Sequence, residues 1–222
     1  MNLSIIDPLF VLVVLINFFM LGTGRLKALI KASAAQGALL GVAFAIAHQE
    51  PNHTGASLVS LRTLALATAI FAIKGFVMPR VLMYAMRAAQ VQWRIEPFVG
   101  FNASLIMGAI GTGLVIAMAK TLPLRPEDAS HLLVSVSLAT MLTGFLLLAT
   151  RREALSQVVG YLVLENGIFI FGLLLVRAIP AIVEVGVLLD VFVGAFVMGI
   201  VIHHVHRQFP ASTSDHLSAL KE

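Results

Sequence analysis

Two carboxylic acids stand where an apolar chain has least use for them. Glu165 lies inside "VVGYLVLENGIFIFGLLLV" and Asp190 inside "AIVEVGVLLDVFVGAFVMG". Glu165 is 13 residues from Arg152 and 12 from Arg177, and Asp190 is 13 from both Arg177 and His203. At helical rise those separations are roughly 18–20 Å, beyond the reach of a snorkelling side chain. A carboxylate at a bilayer centre costs on the order of 2.5–3.5 kcal/mol on insertion scales, so intramembrane acids usually mark ion or proton paths. Such an acid can hold a proton at rest and release it when its surroundings change. The structural alternatives are a hydrogen bond that glues neighbouring helices, or a permanent pair with a basic residue of another subunit. Neither apolar core around these two acids contains a basic residue.

Other charged groups read less sharply. Lys74, in "FAIKGFVMPR", precedes Arg80 by six residues, roughly 9 Å of helix. Two readings stand: it snorkels to the nearby interface, or it is buried, as a base or as the counter-charge to a carboxylate. Pro79 is expected to kink or end that helix. Glu184 lies about one turn inside its span, where an interface-facing carboxylate and an entry-side proton acceptor are both open readings. Arg94 and Glu96, in "RIEPFVG", read as interfacial, the acid favouring a helix N-terminus. In "HHVHR", His203 and His204 point to different sides of a helix, and no carboxylate is near them or His206 to complete a metal set. A titratable exit at neutral pH suits these imidazoles better. No metal or cofactor is expected.

The elements that must position these groups are helices in a membrane. Of the 222 residues 59% are hydrophobic and 12% charged, against roughly 45–50% and 25% in soluble domains. Seven apolar stretches are long enough to span: about 4–23, 29–48, 57–79, 97–119, 130–150, 155–176 and 180–203. The first lacks a basic n-region and cleavage site, so it reads as a retained span. The expected fold is all-α, a polytopic membrane helix bundle occupying 1–207, with a polar, flexible cytoplasmic tail at 208–222. Arg25, Lys27, Lys31, Arg80, Arg87, Arg94, Arg151, Arg152, Arg207 and Lys221 fall on one side, and Arg62, Lys120, Arg125 and Arg177 on the other. That asymmetry predicts N-out, C-in. Because the basic residues lie in loops between apolar runs, the sequence pI of 9.9 is no sign of nucleic acid. There is no cysteine, hence no disulfide, no iron–sulfur ligand and no thiolate for a nickel–iron centre.

"GYLVLENGIFIFG" resembles the E component of hydrogenase-4 and related group 4 membrane-bound hydrogenases. The part from 129 to 207 is similar to the K subunit of respiratory complex I and the C subunit of Mrp-type antiporters; residues 1–128 are expected to be the N-terminal four-helix part of the same membrane domain. "RREALSQVVGYLVLENGIF" matches a basic turn leading into a span with a central glutamate, Glu165. "LLDVFVGAFVMGIVIHHVHR" matches the following span, with Asp190 as the second acid and Gly194 as the glycine four residues on. Here Asp stands where the K subunit has Glu, which draws the carboxyl group about one carbon back. "IKGFVMP" and "RIEPFVGFNASL" carry the resemblance into the N-terminal half. The resemblance implies a non-catalytic subunit of a bacterial or archaeal inner-membrane, complex I-like redox complex. Antiporter-like membrane subunits and soluble hydrogenase and iron–sulfur subunits would be its partners. Glu165, Asp190 and Lys74 would relay protons. The alternatives are a purely structural subunit and an independent cation carrier.

Overall fold

The computed structural model describes residues 3–47, 49–51, 57–59, 61–88, 98–121, 131–175, 186, 188–197 and 199. The helices are α1 (Leu3–Gly22), α2 (Leu26–Ala47), α3 (Leu61–Ala72), α4 (Met78–Ala88), α5 (Phe101–Ala119), α6 (His131–Thr150) and α7 (Ala154–Leu175). A shorter apolar helix, α8, covers Leu188–Val197. A π-helical segment, Ile73–Val77, joins α3 to α4 without a break. Five helices are long and apolar enough to cross a membrane, counting Thr63–Ala88 as one. The described residues thus form a helical membrane bundle.

The third apolar stretch departs from its sequence reading at both ends. Its expected first residues, Ser57–Val59, form strand β2 of a small antiparallel hairpin with β1 (Gln49–Pro51). Pro79, expected to kink or end the helix, does not end it, and α4 continues to Ala88. Proline has no N–H to give the carbonyl four residues back, and its ring crowds that carbonyl. The chain relieves both by widening the preceding turn, where the Met78 N–H bonds the Ile73 carbonyl five residues back.

The core is layered. One apolar cluster includes Met20, Leu29, Leu82, Leu147 and Val163, and the other includes Phe10, Leu40, Ile70, Val136 and Ile170. Between them, on five spans, come buried polar residues: Asn17 on α1, Ser33 and Gln36 on α2, Lys74 in the π segment, Thr140 on α6, and Glu165 with Asn166 on α7. Each helix crosses this polar layer at the point where its side chains pass from one apolar cluster to the other.

Lipid is as apolar as leucine, so packing and hydrogen bonds, not burial, must hold such helices together. The tightest pairing is α6 with α7, where the two backbones touch. A Cβ at Gly144 would lie 2.3 Å from the Leu164 nitrogen, and one at Gly167 would lie 2.5 Å from the Met141 nitrogen.

Arg151 stands in the basic turn between α6 and α7. The structure buries it completely. Its Nη2 donates to the Leu21 carbonyl at 2.7 Å, and its guanidinium lies 4.6 Å from the centre of the Phe101 ring. The last carbonyls of α1 have no helical partner, and a cation satisfies one of them. Burial lowers the Arg151 pKa and the Glu153 charge opposes that shift, but a guanidinium stays charged regardless.

Candidate functional site: a buried lysine between two acids

The polar layer centres on one lysine. Lys74 sits in the π-helical segment and is buried. Glycine at position 37 of α2 is what admits it, because a Cβ there would lie 2.5 Å from the Lys74 Cβ. The lysine Nζ donates to Glu165 Oε1 at 2.9 Å and lies 2.9 Å from Asp190 Oδ2. The Asp190 contact is an ion pair by distance, without hydrogen-bond alignment. All three side chains are nearly inaccessible, at 4%, 4% and 1% exposure.

This settles the position of Lys74. Because α4 runs on to Ala88, the lysine is not near a helix end, and it turns inward instead of snorkelling. The basic partner of the two acids belongs to this chain, not to another subunit. Asp190, despite its shorter side chain, reaches the same ammonium as Glu165. Around Gly194, α8 packs on the turn after Lys74, where a Cβ would lie 3.2 Å from Met78 Sδ.

The charges do not balance. One ammonium faces two carboxyl groups, and among the described residues Glu165 Oε2 and Asp190 Oδ1 have no hydrogen-bond partner. A small cavity, about 10 Å³, adjoins Asp190 and is lined by Ser33, Lys74, Met78, Leu162, Asn166 and Asp190. That is about the space one water needs, and its walls are polar enough to hold one.

A chain of amides extends from the triad. Asn166, next to Glu165, donates through Nδ2 to Gln36 Oε1 at 3.2 Å. Gln36 Nε2 donates to Asn17 Oδ1 at 2.9 Å, and Asn17 Nδ2 donates to Thr140 Oγ1 at 2.9 Å. Every bond runs in the same direction and ties α7 to α2, α1 and α6. An amide left unpaired in hydrocarbon is costly, so each member requires the next. Asn17, Gln36 and Thr140 escaped the sequence reading, which followed charges. The available signal was a lone amide in an apolar run, as in "VLVVLINFFML" and "AAQGALLG".

Of the other expected residues, Arg94, Glu96, Glu184, His203, His204 and His206 lie outside the described residues.

No protein-family model matches the chain, and no solved structure matches it significantly. Among curated proteins, it is similar to the uncharacterized protein Rv0085 of Mycobacterium tuberculosis. The two are 30% identical over 160 residues, covering 72% of this chain and 73% of that one. It is also similar to hydrogenase-4 component E of Escherichia coli and of Shigella flexneri, in each case 24% identical over 151 residues, covering 68% of this chain and 70% of theirs. The chain therefore belongs to one family with the mycobacterial protein Rv0085, and hydrogenase-4 component E is its distant homologue.

Proposed function

We propose that the chain is a non-catalytic membrane subunit of a hydrogenase-4-like, complex I-like complex, in which Lys74, Glu165 and Asp190 pass protons during redox turnover. The observation that carries this reading is the Lys74 ammonium held between two buried carboxyl groups at 2.9 Å each. If all three groups were ionised, the site would carry a net negative charge in a medium that penalises it. One proton shared by the carboxyl pair makes the triad neutral. Moving the lysine away from one acid changes which carboxyl holds that proton. Since Lys74 sits in a π segment, a feature frequent at functional sites, a small change in helix register is enough to move it. Redox-driven movement in a neighbouring subunit would supply that change. The kinship with hydrogenase-4 component E supports the host complex, and antiporter-like and soluble hydrogenase subunits are its proposed partners in the bacterial or archaeal inner membrane. The N-out, C-in arrangement of seven spans belongs to the same proposal.

Glu165→Gln tests the role. It retains shape and hydrogen bonding but cannot titrate. Assembly is expected to survive, with the tagged variant still pulling down its partner subunits. Redox-linked proton translocation into vesicles is expected to fall at least tenfold. Unchanged translocation at normal assembly would leave the acids as structural glue.

A further inference from the structure

Beyond the triad, on the outer side of α2 and α4, lies a groove of about 490 Å³. Its walls include Ile30, Phe76 and Met83, and three cationic side chains enter it: Lys31 from α2, Arg80 and Arg87 from α4. All three are exposed. Among the described residues no acid lines the groove and no carboxylate is paired with these cations. The Arg80 guanidinium lies 5.3 Å from the centre of the Phe76 ring, so it rests on the apolar wall. Tyr84, also in the lining, is the kind of side chain that settles at a membrane–water interface.

A lone basic residue at a helix end needs no ligand, since it reaches water by itself. Three converging from two helices onto one apolar groove are different. They repel one another, and an anion between them relieves that. A soluble anion would use the cations and leave the apolar walls unmatched. We propose that this groove binds an anionic phospholipid, its phosphate among Lys31, Arg80 and Arg87 and its acyl chain against Phe76 and Met83. Basic pockets between membrane helices are suited to such headgroups. The groove also touches Gly75 and Phe76, the residues just after Lys74, so a bound lipid would brace the π segment from outside.

The test is native mass spectrometry of the full chain in detergent, titrated with phosphatidylglycerol, phosphatidylcholine or inorganic phosphate. Phosphatidylglycerol is expected to bind at least tenfold more tightly than phosphatidylcholine. Each basic residue near a charged lipid surface contributes about a fivefold factor. The triple variant Lys31→Gln/Arg80→Gln/Arg87→Gln should therefore lose most of that preference. A control of equal charge change at exposed sites elsewhere, Arg25→Gln/Lys120→Gln/Arg152→Gln, should keep it. The charge-retaining Arg80→Lys/Arg87→Lys should keep it too, which covers the case of a triple variant that fails to fold. Equal retention of the two lipids would overturn the proposal, as would equal loss in the control. Displacement of the lipid by inorganic phosphate would reassign the groove to a soluble anion. Crosslinks from Lys31 to an acidic segment of a co-purified subunit, without bound lipid, would reassign it to a protein partner.

Discussion

Lys74→Met is expected to destabilise the bundle by about 3–5 kcal/mol, the usual penalty for removing one partner of a buried charge pair. Methionine fills a similar volume, so the loss is electrostatic and not a cavity. What remains is two carboxyl groups facing each other beside apolar Met78 and Leu162, with no cation among them. The chain can escape only by protonating both, and that gives up the ion pairs altogether. The cost should therefore be recovered in large part by removing the charges together. The triple variant Lys74→Met/Glu165→Gln/Asp190→Asn is expected to be more stable than Lys74→Met alone. Reversible unfolding in mixed micelles measures both. Equal stability of Lys74→Met and the native chain would mean that the pairs contribute nothing.

Gly144→Leu is expected to pry apart the α6–α7 pair. The added Cβ would meet the Leu164 nitrogen at 2.3 Å and the Gly160 carbonyl oxygen at 2.7 Å, both backbone atoms that cannot turn aside. Overpacking costs roughly 1–3 kcal/mol when side chains can adjust, and here α7 itself has to move. Even Gly144→Ala should reach that range, and leucine should exceed it. Because Glu165 and Asn166 ride on α7, the shift draws them from Lys74 and Gln36, so stability and site are lost together. Gly113→Ala is the contrasting control. Nothing lies within 4 Å of a Cβ there, and alanine favours the helix by up to about 1 kcal/mol over glycine. Urea or SDS titration of the two variants should move in opposite directions.

The helical, membrane-spanning character of the chain was legible because apolar length is a one-dimensional signal. Five of the expected stretches correspond to helices long enough to span, and Asp7–Gly22 and Leu188–Val197 are shorter apolar helices within two more. The acids were legible too, since distance from Arg152 and Arg177 can be counted along the chain. Their partner was harder to see. Lys74 seemed able to snorkel because Arg80 follows it by only six residues, and whether a helix ends at a proline such as Pro79 or absorbs it in a π turn depends on its neighbours. The closeness of Gly37 to Lys74 is a fact of two helices packing, and no count along one strand of sequence contains it. The burial of Arg151 was hidden for the same reason: a basic turn looks alike in sequence whether it meets water or the Leu21 carbonyl. The amides Asn17 and Gln36 carried no charge to draw notice, yet their pairing with Asn166 and Thr140 makes the layer continuous.

The proposal rests on an exchangeable proton between Glu165 and Asp190, and infrared difference spectroscopy of the tagged complex between its oxidised and reduced states observes that proton directly. A protonated-carboxyl C=O band is expected, shifting in D₂O, changing with redox state, and disappearing in Glu165→Gln or Asp190→Asn. If no carboxyl band changes between the two states while the complex still moves protons, the triad is a fixed ion pair and the proton travels elsewhere.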